Sequence, residues 1–134
     1  MTVTIDTSTL VAYLLEEDGF EKIKELLSEG VVSVPLLIKE SCNAVLEASK
    51  QRRITREESE KILQAILVLS QTNIKLVPQE NLVTDAFKIA TGNDLTIYDS
   101  IYIALAKKSE GSLASRDKKQ IEVAAKIGVN ILKV

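Results

Sequence analysis

Residues 3–15 read VTIDTSTLVAYLL, which is the sequence of a short strand followed at once by a helix. Residues 3–5 are rich in β-branched side chains, which favour strands. From Thr9 to Leu15 the apolar residues recur at the spacing of a helix. Asp6 stands at the junction, directly after the strand. A strand that leads directly into a helix is the repeating unit of parallel α/β proteins.

The same alternation continues along the rest of the chain. Strand signals recur at 31–34, 74–77, 112–115 and 129–132, and helical patterns cover 20–27, 35–50, 55–70, 80–91, 98–108 and 117–127. This order predicts a mostly parallel sheet with helices on both faces. No repeat or linker divides the 134 residues, so we expect one domain over residues 1–134.

Two of these helices lead to specific expectations about packing. The helix over 35–50 is expected to place Leu37, Cys42, Val45 and Leu46 inward, and the helix over 80–91 is expected to end at Gly92. The helix over 55–70 is apolar on more than one face. It therefore either packs on two sides within the core or also contacts a partner subunit.

The composition excludes several kinds of chemistry. There is no histidine, so triads that use histidine and zinc sites of the Cys/His type are ruled out. The single cysteine, Cys42, cannot form an internal disulfide and is expected to be a small buried apolar residue. No signal peptide and no membrane-spanning apolar run is recognisable, so we expect a cytoplasmic protein without membrane contact. Hydrolysis would have to depend on carboxylates, hydroxyls, Lys, Arg or a hard metal ion.

Four acidic residues lie where a parallel sheet forms its sites. Asp6 and Asp117 follow strands, Glu40 lies early in the helix after the second strand, and Asp99 begins the helix before the fourth strand. Because sites in such sheets form at the carboxyl ends of the strands, all four can meet at one edge. Carboxylates gathered there would repel one another and would bind a hard divalent ion such as Mg²⁺ or Mn²⁺. The alternative is that each acid only caps a helix or faces solvent.

Basic residues near these acids are candidates for nucleic-acid contacts. The formal net charge of -2 gives no overall basic footprint. A local basic rim remains possible, or the same cations could simply face solvent at helix ends. The candidates are Lys50, Arg52, Arg53, Lys107, Lys108, Arg116, Lys118 and Lys119, of which Arg116, Lys118 and Lys119 are the predicted RNA-binding residues.

At these acidic residues the sequence resembles the PIN domain family of nucleases, and most closely the VapC-type toxins of VapBC toxin–antitoxin systems. The similarity is carried by four segments in order, of which residues 95–106 (LTIYDSIYIALA) are the most specific. The other three are Ile5-Asp6-Thr7-Ser8, Lys39-Glu40-Ser-Cys-Asn43, and Ser115-Arg116-Asp117 ahead of Ile127-Gly128-Val129.

The resemblance implies a three-layer α/β/α sandwich with a parallel sheet of four or five strands. It implies that Asp6, Glu40, Asp99 and Asp117 bind Mg²⁺ or Mn²⁺ and carry catalysis, with Ser115 and Asn43 in support. The implied activity is endoribonucleolytic hydrolysis of RNA by metal-activated water. A VapB-like antitoxin is the implied protein partner, and a homodimer is the usual assembly.

Three further side chains have alternative interpretations. Thr7 is a supporting candidate, although its hydroxyl could instead belong to a cap or a turn, and Tyr98 and Tyr102 are expected to be core residues.

Three other functions are compatible with parts of the sequence. The first rival is a PIN-like RNA-processing or RNA-surveillance nuclease. The second is a phosphotransferase of the haloacid dehalogenase type, which usually needs an acid where this chain has Ser8. The third is a non-catalytic α/β interaction module whose acids only cap helices.

Overall fold

The computed structural model describes residues 1–134 and contains five strands, seven α-helices and one short 3-10 helix. The strands are β1 (Val3–Ile5), β2 (Val31–Ser33), β3 (Ile74–Leu76), β4 (Ser112–Ala114) and β5 (Asn130–Leu132). The helices are α1 (Thr7–Leu14), α2 (Phe20–Glu29), α3 (Leu36–Lys50), α4 (Arg56–Leu69), α5 (Val83–Asn93), α6 (Ile97–Lys108) and α7 (Lys118–Lys126), with the 3-10 helix at Glu80–Leu82.

All strand pairs in the single sheet are parallel, and the strand order is β3-β2-β1-β4-β5. The chain builds the sheet outward from β1 in one direction and then returns to the other side of β1 with β4. This reversal creates a crevice outside the carboxyl ends of β1 and β4, which is where sites of open α/β sheets form. The predicted α/β/α sandwich is confirmed, with five strands rather than four.

Close approach of β1 and β4 depends on Gly111. The Ser112 N–H donates to the Thr2 carbonyl at 2.9 Å. A Cβ atom on Gly111 would collide with the backbone of Thr2. A residue without a side chain is therefore required at the start of β4, and this contact brings Ala114 into register with Ile5.

Helix α6 forms the centre of the core. Residues 100–106 are all buried, because this helix packs against β1, β4 and α5 and is enclosed on every side. The core around it is almost entirely aliphatic, and Tyr102 is its only fully buried aromatic side chain. A helix enclosed in this way holds the residues of its first turns in fixed positions relative to β1.

The structure corrects the expected end of the helix over 80–91. Its first turn is the 3-10 helix, and α5 continues through Gly92 to Asn93. The helix stops because Asp94 adopts the left-handed conformation, with φ of 53°, and its N–H bonds to the Ala90 carbonyl. Asp is one of the few residues with a side chain that adopts this conformation readily. The sequence prediction placed the end at Gly92 because glycine is the more common residue at this position.

The expected inward positions of α3 are only partly correct. Leu37 and Val45 are buried, Cys42 is half-buried, and Leu46 is half exposed. The prediction for Leu46 was wrong because α4 covers α3 on one side only.

Helix α4 is not packed on two sides. Ile66 is its only buried residue, and Leu63, Leu67 and Val68 are exposed by 38%, 40% and 59%. The alternative of a doubly packed helix is therefore wrong, and α4 presents apolar side chains to solvent. No helix of the chain is both long enough and apolar enough to cross a membrane.

Candidate carboxylate site at the edge of the sheet

The four predicted carboxylates line one cavity of about 400 Å³ at the carboxyl ends of β1 and β4. Asp6 arrives from the end of β1, Glu40 from α3, Asp99 from α6 and Asp117 from the turn after β4. The remaining wall is formed largely by polar side chains, namely Thr7, Ser8, Asn43, Tyr102 and Gln120. The topology therefore brings residues from four distant segments to one place.

Asp6 is the most deeply buried of the four acids. It is the N-cap of α1 and accepts the Thr9 N–H at 3.0 Å. The Ser115 hydroxyl donates to Oδ2 at 2.6 Å, and the Ser8 hydroxyl lies 2.8 Å from Oδ1. Burial raises the pKa of Asp6, and the bonds from Ser115, Ser8 and Thr9 oppose that rise. The side chain is thus held rigidly by donors that favour its charged form.

Glu40 is held by two hydroxyl groups from other helices. Thr7 of α1 donates to Oε1 of Glu40 at 2.7 Å, and Tyr102 of α6 donates to the same oxygen at 2.6 Å. Burial and the bond to Glu40 raise the pKa of Tyr102, so its hydroxyl stays protonated and remains a donor. Oε2 of Glu40 accepts no hydrogen bond from the protein.

Asp99 is affected by the negative charges of the other three acids. It lies in the first turn of α6 and is half-buried. Burial raises its pKa, and the negative charges of Asp117, Glu40 and Asp6 raise it further, while the Thr96 hydroxyl opposes them. The other three acids are therefore close enough to Asp99 to disfavour its charged form.

Asp117 is exposed and is the N-cap of α7, where it accepts the Gln120 N–H at 2.9 Å. Its own N–H donates to the Ser115 hydroxyl at 3.0 Å. Asp6 and Asp117 therefore do cap helices, as the non-catalytic alternative supposed. A cap uses only part of a carboxylate, however, and both side chains also line the cavity.

The ligand atoms around the cavity are carboxylate oxygens, which are the type of ligand that a hard divalent ion prefers. No group of three or more acids, cysteines or histidines is close enough in this structure to hold a metal ion directly. Carboxylate oxygens around a cavity of this size nevertheless suit Mg²⁺, which keeps several waters and usually binds one or two carboxylates. The residues present therefore match a largely hydrated ion rather than one enclosed by protein.

Sequence reasoning missed three residues that organise the site. Tyr102 was expected to be only a core residue, yet its position one turn after Asp99 places it on the same side of α6. Ser8 was not among the predicted site residues, yet its hydroxyl bonds Asp6 and accepts the Arg116 N–H at 2.8 Å. Gln120 was not among them either, although it is buried and its side chain donates to the Asp99 carbonyl at 2.9 Å. The other tyrosine, Tyr98, is exposed, so the prediction that it belongs to the core was wrong.

The supporting residues predicted from sequence differ in their contacts. Ser115 donates to Asp6 and Thr7 donates to Glu40, so both touch a predicted acid directly. Asn43 lines the cavity on an exposed part of α3, and its side chain makes no hydrogen bond.

The predicted basic residues are dispersed. Arg116 does not line the cavity, because its guanidinium donates to the Asp18 carbonyl at 2.6 Å and lies 3.9 Å from Glu17. Lys119 is bonded to the Asp94 carbonyl at 2.7 Å, and Lys118 is exposed and unpaired beside Asp117. The other candidates lie at the C-terminal ends of α3 and α6, more than about 10 Å along the helix from Glu40 and Asp99.

Comparison with known proteins decides the family. A model of the PIN domain matches residues 3–126. This chain belongs to the PIN domain family. A curated PIN-family relative is ribonuclease VapC3 of Pyrobaculum aerophilum, which is 23% identical over 124 residues, covering 91% of this chain and 94% of the relative.

Solved structures share the PIN fold at low sequence identity. PAE2754 from Pyrobaculum aerophilum has a TM-score of 0.75 at 22% identity and covers 100% of this chain and 84% of its own. VapC20 from Mycobacterium tuberculosis, described as a toxin that cleaves the sarcin–ricin loop, has a TM-score of 0.70 at 14% identity, with 96% of each chain covered. A toxin–antitoxin complex from Klebsiella pneumoniae also has this fold, with a TM-score of 0.54 at 13% identity and 90% of each chain covered.

Proposed function

We propose that this PIN domain is a Mg²⁺- or Mn²⁺-dependent endoribonuclease and acts as the toxin of a toxin–antitoxin pair. The observation that carries the proposal is the convergence of Asp6, Glu40, Asp99 and Asp117 on one polar cavity at the topological reversal of the sheet. A chain without histidine cannot use histidine-based hydrolysis, and clustered carboxylates are suited to bind a hard divalent ion instead.

In this proposal the acids would hold the ion and receive protons. Asp6 and Glu40 are fixed by hydroxyl donors, so their free lone pairs point in set directions. Burial raises the pKa of both Asp6 and Asp99, and Asp99 is the less buried of the two, so it would be the more accessible acid to take a proton from the attacking water. Bound Mg²⁺ or Mn²⁺ would supply activation of water at neutral pH and neutralisation of charge on the phosphate.

RNA is the substrate class best supported by the named relatives. The curated relative is a ribonuclease, and one solved neighbour is described as cleaving an RNA loop. Lys118 is exposed next to Asp117 without an ion-pair partner, so it can contact phosphate at the rim of the cavity.

Exposed apolar side chains support the proposed protein partners, a VapB-like antitoxin and a second copy of the chain. Helix α4 exposes Leu63, Leu67 and Val68, and α5 exposes Val83 and Phe87 four residues apart on one face. Apolar side chains grouped on exposed helices often mark protein-binding surfaces. The toxin–antitoxin complex among the structural neighbours is consistent with this assignment.

The test is RNA cleavage by wild type and Asp6→Asn in the presence of Mn²⁺. Asn caps helices as well as Asp, so α1 should be retained while the carboxylate is lost. We expect cleavage to fall at least about 100-fold, a loss in the range seen when groups at such metal centres are removed. Circular dichroism should remain that of wild type.

The matched control is Asp85→Asn, which removes an exposed carboxylate of α5 outside the cavity. Cleavage should be unaffected by this change. Equal cleavage by wild type and Asp6→Asn would contradict the proposed active site. If wild type neither cleaves RNA nor binds metal, the non-catalytic interaction module is favoured. That alternative expects the acids to cap helices, and Asp6 and Asp117 do cap α1 and α7.

A further inference from the structure

Three helices meet at one oxygen of Glu40. Thr7 belongs to the first turn of α1, Tyr102 to the middle of α6, and Glu40 to α3. The Thr7 and Tyr102 hydroxyls lie 2.7 Å and 2.6 Å from Oε1 of Glu40, and 3.0 Å from each other. The three groups therefore form a closed triangle of polar atoms.

The number of hydrogen atoms available decides which of the three groups donate and which one accepts. Each hydroxyl carries a single hydrogen, and the ionised carboxylate carries none. Because both hydroxyls donate to Oε1, neither has a hydrogen left for the other. The 3.0 Å separation is therefore a contact between two oxygens drawn together by a shared acceptor. The arrangement therefore requires both donors.

The second oxygen of Glu40 is left unused by the protein. Oε2 accepts no hydrogen bond from any residue, and it is not among the buried unpaired atoms of the chain. Glu40 lines the carboxylate cavity, so Oε2 is the oxygen available there. One carboxylate oxygen thus anchors the side chain and the other is free to bind a ligand.

The burial of Tyr102 indicates that its hydroxyl has a specific role. Tyr102 is 1% exposed, and a phenylalanine would fill the same space without a polar atom to satisfy. A buried hydroxyl needs a partner, and the acceptor of this one is Glu40, with the Thr7 hydroxyl 3.0 Å away. The ring is fixed by the core, so the hydroxyl is held at a set position beside Glu40.

We propose that Tyr102 and Thr7 are positioning residues that fix Glu40 through Oε1 and leave only Oε2 to bind the ion. This inference rests on the proposed nuclease function and deepens it. Groups that orient a metal ligand typically change metal affinity or activity by about 10–100-fold when they are removed. Neither hydroxyl needs to touch the substrate.

The experiment measures Mn²⁺ affinity by calorimetry in the full-length chain. Tyr102→Phe and Thr7→Val each remove one donor and should weaken Mn²⁺ binding by about 10-fold or more. Thr7→Ser keeps the hydroxyl and should bind Mn²⁺ as wild type does. Tyr98→Phe removes an exposed phenol from the same helix and serves as the matched control, with no expected change.

A double-mutant cycle separates positioning from general packing. If Tyr102 acts through Glu40, Tyr102→Phe should cause no further loss of Mn²⁺ affinity in a Glu40→Gln background. Additive losses in that cycle would overturn the inference. If Tyr102→Phe fails to fold, as judged by thermal unfolding in EDTA, the comparison of Thr7→Val with Thr7→Ser still decides it.

The outcomes distinguish this inference from the proposed function. If wild type binds Mn²⁺ and cleaves RNA while Tyr102→Phe and Thr7→Val bind Mn²⁺ equally well, the positioning role alone is wrong. If wild type neither binds Mn²⁺ nor cleaves RNA, the proposed nuclease fails and the positioning role fails with it. If Mn²⁺ binding is weaker in Tyr102→Phe and in Thr7→Val but unchanged in Thr7→Ser, the result supports the positioning role. RNA cleavage by wild type in the same experiment supports the proposed nuclease.

Discussion

Asp6 and Asp117 each serve two purposes with one side chain. As N-caps they accept backbone N–H groups of α1 and α7, and as cavity residues they contribute negative charge to the candidate site. The cap fixes each side chain at the start of a helix, close to the positive end of the helix dipole. This arrangement lets carboxylates be concentrated in one place at a lower cost in repulsion.

The raised pKa of Asp99 predicts how stability depends on pH. Above the ordinary carboxyl pKa of 3.8 the folded chain retains its proton longer than the unfolded chain does. The unfolded state then binds fewer protons, so the free energy of unfolding of the metal-free protein falls as the pH rises through this window. The charged form of Asp99 is therefore a source of instability at neutral pH.

We expect Asp99→Asn to raise the melting temperature of the metal-free protein at pH 7 by up to a few degrees. The difference from wild type should shrink as the pH is lowered, because a growing fraction of wild-type Asp99 is then protonated and uncharged. Thermal unfolding in EDTA between pH 4 and pH 8 measures this difference. An equal gain from Asp85→Asn, or a gain that grows at acid pH, would show that repulsion at Asp99 is not the cause.

At the scale of single elements, α7 is the helix best placed to contact RNA. Lys118 begins α7 immediately after Asp117, whereas Lys119 is tied to Asp94 and Arg116 to the loop after α1. Lys118→Ala should weaken RNA binding about 2- to 10-fold and reduce the slope of log affinity against log salt by about 1. The double change with Lys119→Ala should add little to this loss.

Fluorescence anisotropy with a labelled RNA in EDTA, across a range of salt concentrations, measures this effect without cleavage. Lys107→Ala, at the far end of α6, is the control and should leave the slope unchanged. A salt slope that is unaffected by Lys118→Ala would mean that RNA does not approach over the start of α7.

Helices α4 and α5 carry the apolar surfaces through which a homodimer could form. A charge placed in such an interface would be buried without a partner, which strongly opposes association. We therefore expect Leu67→Asp or Phe87→Asp to convert a dimer to a monomer of about 14.7 kDa. Both positions are exposed in the single chain, so folding should be preserved.

Light scattering after size-exclusion chromatography measures the mass of each variant. Lys88→Asp, an exposed change on α5 away from the apolar pair, is the control and should not alter the assembly. A wild-type monomer would contradict the homodimer, and a dimer that survives both substitutions would exclude these two surfaces.

For the whole molecule, the parallel sheet is the feature that the sequence predicted best. The alternation of apolar strand segments with helical periodicity is strong, and the central strands β1 and β4 are buried on both faces. The order of the strands is a property of long-range packing, so the position of β4 beside β1 could not be read from local patterns. That position brings Ser115 and Asp117 next to Asp6.

Site residues differ in the same way: those marked by local sequence features could be predicted, and those that depend on contacts between distant segments could not. The grouping of the four acids at one edge of the sheet could be predicted because their positions after strands or near helix starts are local features, and the structure places all four around one cavity. Tyr102 and Gln120 were missed because a buried polar residue within a helix looks like a core or cap residue until its partner from another segment is known. The basic rim was overestimated because the pairing of Arg116 and Lys119 depends on loops far away in sequence.

The proposed nuclease requires that the four carboxylates form one divalent-metal centre. Calorimetric titration of Mn²⁺ into wild type, Asp99→Asn and Asp85→Asn measures whether they do. We expect saturable binding by wild type and Asp85→Asn, and affinity reduced at least about 10-fold in Asp99→Asn. Equal Mn²⁺ binding by all three proteins, or none in wild type, would contradict it.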